Sequence, residues 1–398
     1  MNHKHLAGAT GIAALGFVFV LAAWGPLDPP DGPITSTYKT LTEVEPRIPL
    51  NAETAPGDAD YLFKIPKSGS YYLTGNIKGV PGKGGILIGV SRVTLDLNGY
   101  AVEGVNGATN GIRVNTDHGV TIRNGNIFDF EVGVDAYETS GGRLENLTST
   151  GNTVVGFKVG PGATVTNCIS ISNPTGFNIF ADATLTGCVA TGGAGRGFDI
   201  GQGSTLSHCN ATKVGTGFYI DAQAVLDHCA ARDNTSHGFN VLESAVLSDC
   251  SAYSNASAGF LVTARSRLTR CHAGGNVNGF YLVEGNSVVE CTASSNTGDG
   301  LTISGNSNTV ERSTFHENGG DGLRLFEGVG NSIDGNLATY NTLYGIYIND
   351  SDNLTVRNRA RGNAQGNYQF VANTDYGVVL TNPGAGFTSS AAWANFAY

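Results

Sequence analysis

Three side chains carry the chemistry that this sequence offers most directly. Arg113, Asp135 and Lys158 each stand two residues after a glycine that opens a short apolar segment: Gly111-Ile112, Gly133-Val134 and Gly156-Phe157. A guanidinium, a carboxylate and an ammonium side by side suit an acidic sugar. Cations neutralise the sugar carboxylate, and a base removes the proton that this neutralisation acidifies. Lys158 or Arg113 is the candidate base, and Asp135 is the candidate ligand for Ca2+, the one cofactor this chemistry introduces. The same position in later segments holds Asp199, Tyr219 and Tyr281, and Asp117 lies close in sequence to Arg113. These four are candidate substrate contacts, the tyrosines as platforms for sugar rings. The plainer reading makes Arg113–Asp135–Lys158 an ion-pair ladder that keeps like charges from stacking, and it takes precedence here.

A second column of polar residues precedes a series of cysteines: His208, His228, Asp249, Arg270, Glu290 and Arg312. Two histidines and an aspartate are plausible ligands for Zn2+ or Cu2+. Steps of ~4.8 Å along a straight line do not converge on one ion, so no metal is assigned.

These residues are positioned by a repeat. Gly-Phe recurs at Gly156, Gly176, Gly197, Gly217, Gly238, Gly259 and Gly279, and cysteine at 168, 188, 209, 229, 250, 271 and 291; every interval is 20 or 21 residues. Such a period, with its own apolar positions, is the mark of a solenoid. Gly197-Phe198-Asp199-Ile200 alternates apolar and polar residues, which is strand periodicity. Strands one period apart must lie parallel and in register, so equivalent side chains stack into columns. The inward columns are the phenylalanines, the cysteines, and Ala190, Ala211, Ala231, Ala252, Ala273 and Ala293. A further column from Asn152 to Asn363 reads as an amide ladder at a tight turn, where asparagine tolerates left-handed geometry. Looser copies on both sides bring the count to fourteen registers, a rod of about 65 Å. The expected fold is all-β, a single-stranded parallel β-helix of 13–14 coils.

Seven cysteines are an odd number, and all share one inward slot. In-register neighbours are spaced more widely than a disulfide prefers, so a buried thiol column is expected, with neither bridge nor metal. A serine at Cys229 is expected to cost more than an alanine, because it buries a hydroxyl. The chain of 398 residues carries a formal charge of −10 and no basic block, which argues against nucleic acid and anionic lipid as partners. His3-Lys4-His5 followed by an apolar run to Ala23 reads as a signal peptide or uncleaved anchor over 1–23. An irregular linker is expected over 24–60, with one helical turn at 40–45, then the β-helix over 61–375 and a terminal cap over 376–398.

The coil length, the Gly-(Ile/Phe)-x-(Val/Ile) strand, the asparagine ladder and Val93-Thr94-Leu95-Asp96-Leu97-Asn98-Gly99 together resemble the pectate-lyase-like superfamily of right-handed parallel β-helix proteins. That superfamily includes polysaccharide lyases, glycoside hydrolases, uronate epimerases, phage tailspikes and non-catalytic surface proteins. Asn115-Thr116-Asp117 is similar to the first motif of its polygalacturonases, but no Asp-Asp pair and no Arg-Ile-Lys follow, and Ser236-His237-Gly238 is the nearest approach to the Gly-His-Gly. The Asp-Pro-His-Glu of uronate epimerases is absent. The resulting expectation is a monomeric, exported β-helix protein, secreted, periplasmic or on the cell surface, that is a non-catalytic surface or glycan-binding protein with a polysaccharide as its candidate partner. The alternative is a lyase or hydrolase for an acidic polysaccharide, using Arg113, Asp135 and Lys158. Any cleft should lie over the long intervals between Gly85 and Gly156.

Overall fold

A computed structural model describes residues 46–371, 374–381 and 391–398. The expected leader and the expected turn at 40–45 lie outside them. Residues 47–398 form one compact unit, and among its described residues every regular element is a β-strand. Each coil contributes one strand to a fifteen-stranded sheet and two to a second, bent sheet, and all these strands pair in parallel with the coils before and after. The count exceeds fourteen because Tyr61–Ile65 is itself the first strand of the fifteen, with Phe63 opposite Ile86. Ile48–Pro49 pairs with Tyr71 and Tyr72, and Asn395–Ala397 pairs with both Arg359–Ala360 and Val379–Thr381.

The columns stack as the period demands. Phe157, Phe177, Phe198, Phe218, Phe239, Phe260 and Phe280 are wholly buried. Their ring centroids are 4.7–4.9 Å apart, with planes within 12° of parallel. Strand spacing fixes this separation, and each ring buries roughly 1.5–3 kcal/mol of apolar surface. The column continues as Leu301 and Leu323, and in the coil of Leu301 the alanine column compensates by carrying Phe315. Large and small exchange places, and the interior stays filled.

The repeated glycine answers to space. A methyl group on Gly217 would lie 2.5 Å from the carbonyl oxygen of Gly238 and 2.9 Å from both Ala231 Cβ and Asn234 Nδ2. Positive φ falls elsewhere, at three corners of the coil. At the corner between the two arms of the bent sheet sit Asn146, Asn167, His208, His228, Asp249, Arg270, Glu290 and Arg312. At the next corner the left-handed residue is Asp233, Ser254 or Ser295, one position before each ladder asparagine. The asparagines therefore serve by hydrogen bonding, and the left-handed role expected of them belongs to their neighbours. Asn255 Nδ2 donates to Asn276 Oδ1 at 2.9 Å and to the Ala231 carbonyl at 3.2 Å, while its Oδ1 accepts from the backbone and side chain of Asn234. Every donor and acceptor of the buried amide is thereby used, as low dielectric requires. A second ladder, Asn286–Asn308–Asn331–Asn353, lines the third corner, and a third, Asn336–Asn358–Asn395, prolongs the cysteine column.

The seven cysteines are free and buried. Burial pushes the Cys168 thiol well above its ordinary range, which removes it as a nucleophile. Cys229 Sγ lies 3.5 Å from the Asp227 carbonyl and 3.7 Å from that of Leu206. Ser313 occupies the same slot, donating to the Glu311 carbonyl at 3.0 Å and accepting from the Cys291 N–H at 3.1 Å. A hydroxyl in this column thus finds partners, contrary to the expectation from sequence.

Two stability measurements check this packing. Gly217→Ala should cost at least the ~1–3 kcal/mol of an overpacked core, read as a lowered melting temperature; an unchanged value contradicts the close approach. Cys229→Ser should melt at or above Cys229→Ala, because the serine keeps its hydrogen bonds and leaves the smaller void.

Candidate functional site

The outer column of the fifteen-stranded sheet follows the register read from sequence. Arg113 pairs with Asp135, Asp135 with Lys158, Lys158 with Asn178, Asn178 with Asp199, and Asp199 with Tyr219. It runs on through Asn240, Leu261, Tyr281, Thr302 and Arg324 to Tyr347. These side chains face outward because the residues on either side, such as Ile112 and Val114, are buried.

Arg113, Asp135 and Lys158 come together in one groove of about 400 Å³, walled by Tyr137, Glu138 and Asn178. The groove opens over the longer coils between Gly111 and Gly156. Arg113 reaches Glu138 on the wall at 3.8 Å. Asp135 makes no ion pair within 4.0 Å with either cation, and Lys158 makes none with any described residue. The alternating-charge ladder expected here is therefore not formed. It forms instead at the corner column, where Arg270 holds Asp249 through two bonds of 2.8 and 2.6 Å and Arg312 reaches Glu290 at 3.4 Å.

A second groove of about 460 Å³ shares Tyr137 and Asn178 with the first and contains Asp199 and Tyr219. Both are engaged. Arg196 bonds Asp199 at 2.7 Å, and its guanidinium lies 3.4 Å from the centre of the Tyr219 ring. One face of that ring is thus covered by a cation rather than offered to a sugar. Tyr137, which lines both grooves, packs edge to face at 5.0 Å against Phe180, which lines the second. Tyr281 lines two shallower depressions farther along, one with His237 and Leu261, the other with Asp299, Arg324 and Phe326. Asp117 stands outside these depressions on an exposed turn, where its carbonyl accepts the Ser140 N–H at 2.9 Å.

Sequence reading assigned no role to Tyr137, Glu138, Phe180 and Arg196. The first three sit just past a strand end, where side chains turn up to wall the face. The exposed aromatics Tyr137 and Phe180 interrupt a pattern of small and polar turn residues, which was a usable signal. Three polar atoms on or beside this face are buried without a partner: His237 Nδ1, Asn240 Oδ1 and Arg324 Nε. Burial also holds the His237 imidazole below its ordinary pKa. At the corner column the His208 and His228 rings stack at 5.1 Å, and the hydrogen bond that the His228 imidazole donates to the Asp227 carboxylate pushes the His228 pKa up.

The sequence matches the model of the right-handed beta helix region over residues 73–211 and 266–392. The chain belongs to the right-handed β-helix family. Among solved structures, this β-helix is similar to the A-module of a mannuronan C-5 epimerase from Azotobacter vinelandii, with 16% identity and a TM-score of 0.48, covering 77% of this chain and 90% of that one. A mutant of a periplasmic alginate epimerase matches at 13% identity and a TM-score of 0.44, over 90% of this chain and 82% of its own. The catalytic domain of an α-1,3-glucanase in complex with tetrasaccharides matches at 12% and 0.34, over 77% and 71%. At such values the likeness carries no statement about what this β-helix does. No curated protein matches the sequence.

Asp321, next to the depression around Arg324, is buried and accepts the Tyr344 N–H at 2.8 Å. Burial raises its pKa above the ordinary 3.8, so the folded state prefers the protonated acid. Its contribution is greatest below that value and declines as pH rises through the folded pKa. Asp321→Asn, which keeps an acceptor for Tyr344, should therefore raise the melting temperature more at about pH 7 than at about pH 3. Equal shifts at both would contradict the burial effect.

Proposed function

We propose that this chain is an exported β-helix protein that holds an extended acidic polysaccharide along the outer face of its fifteen-stranded sheet. The observation that carries this reading is a row of depressions along one face that join in two pairs. The first two grooves share Tyr137 and Asn178, and the last two depressions share Asn278 and Tyr281. Ten register steps separate Arg113 from Arg324, or about 48 Å of strand spacing. A glycan presents hydroxyls, ring faces and, in uronates, carboxylates. The face answers with amides, exposed aromatic edges and the cations Arg113 and Lys158. It also carries Asp135, Glu138, Asp199, Asp221 and Asp299, whose carboxylates can accept hydrogen bonds from sugar hydroxyls. Export is supported by the apolar segment that ends at Ala23. Among the described residues no helix is long and apolar enough to cross a membrane.

One observation favours a catalytic second reading. Asp135 and Lys158 share a groove, one strand apart, without pairing to each other. An unpaired base beside Arg113 is what abstraction of a proton next to a uronate carboxylate would use. In that reading Lys158 takes the proton, Arg113 holds the carboxylate, and Asp135 is the ligand for Ca2+.

Affinity electrophoresis in gels containing uronate polymers or neutral glucans tests both. Retardation by an acidic polymer, weakened about tenfold in the Arg113→Ala/Lys158→Ala double variant, is the expected result. Unsaturated chain ends that appear with the wild type and vanish in Lys158→Ala would establish the catalytic reading. No retardation by any polymer would sink both.

A further inference from the structure

We propose that the corner of the bent sheet carries a transition-metal site, built from Asp227, His228 and Asp249 and taking a borderline divalent ion such as Zn2+. A column of equivalent residues is straight and cannot surround an ion. The corner supplies what the column lacks. His228 has φ of 51°, which breaks the alternation of the strand, so that Asp227 and His228 both face outward between the buried Leu226 and Cys229. One coil thus offers two donors from adjacent columns, and the next coil offers Asp249. Their ligand atoms form a triangle with no side longer than 4.8 Å.

The triangle is held from behind. Asp227 Oδ2 lies 2.8 Å from His228 Nδ1, and Ser248 Oγ donates to the other oxygen, Oδ1, at 3.2 Å. His208, stacked on His228 with ring planes 6° apart, stands one coil back and outside the triangle, so the fourth position of a bound ion falls to water. An imidazole with two carboxylates suits Zn2+ or Co2+, while Ca2+ would require six to eight oxygens.

The occupant of Asp249 in this structure is Arg270, through the two bonds already described. Metal binding is therefore a competition in which the ion displaces a guanidinium. Glu290 stands one coil beyond Arg270 in the same column and can receive it. This gives the proposal a signature that a merely adventitious histidine would not show: removing the arginine should improve the site.

The test uses the full chain titrated with Co2+, followed by visible absorption, with Zn2+ added as competitor. The intense bands of a four-coordinate ion should appear at one equivalent and be quenched by Zn2+. His228→Asn, which tolerates the left-handed corner, and Asp227→Asn should each weaken binding at least about tenfold. Arg270→Gln should tighten it several-fold. Circular dichroism of each variant confirms that the β-helix is intact. Weak six-coordinate spectra in the wild type, bands that survive His228→Asn, or weaker binding in Arg270→Gln would each overturn the site.

Discussion

At the middle of each coil two walls of the tube come almost into contact. Ala231 and the amide of Asn234 close on the bare backbone of Gly217, and the same meeting recurs at Gly238 with Ala252 and Asn255. A side chain of any size on the glycine would push the fifteen-stranded sheet away from the wall opposite. That would unstack the phenylalanines and separate the amides, because both depend on the same width. The identity of the coils thus follows from a single clearance, and the columns of Phe, Cys, Ala and Asn are what fits around it.

This explains what the sequence made legible. Positions that face the tube are held to a narrow range of volume, so the period and the inward columns could be read directly from Gly156 to Ile303. The outer column was equally readable, since parallel pairing in register leaves no freedom once the inward residues are placed. Events at the ends of long side chains were not. Nothing in the register says that Arg113 turns to Glu138, leaving Asp135 alone, or that Arg196 lies over Tyr219. The corners were misread for a related reason. Asparagine is both a left-handed residue and an amide donor, and only coordinates show that Ser254 takes the first role while Asn255 takes the second.

The two candidate sites differ in how they are built. The grooves around Arg113, Asp135 and Lys158 lie on the flat of a sheet, with walls from turn residues such as Tyr137 and Glu138. Their floor is rigid and their long side chains are free to adjust, which suits a ligand that extends over many coils. The corner residues Asp227 and His228 sit where the backbone itself bends, and their directions are set by φ rather than by the pleat. One arrangement spreads chemistry along a line, and the other concentrates it at a point.

The exchange between Leu301 and Phe315 shows that a coil balances its volume within itself, with little reference to its neighbours. Each turn of the ribbon is thus a self-sufficient slice. A gene for such a ribbon can gain or lose one whole slice by duplication or deletion and still join matching rungs above and below. Losing a single residue inside a strand would turn the rest of that strand onto the wrong side of the wall, whereas the turns absorb such a change, as the intervals of 20 and 21 show. Variation in length should therefore be inherited in whole turns, and the long face would grow or shrink with it.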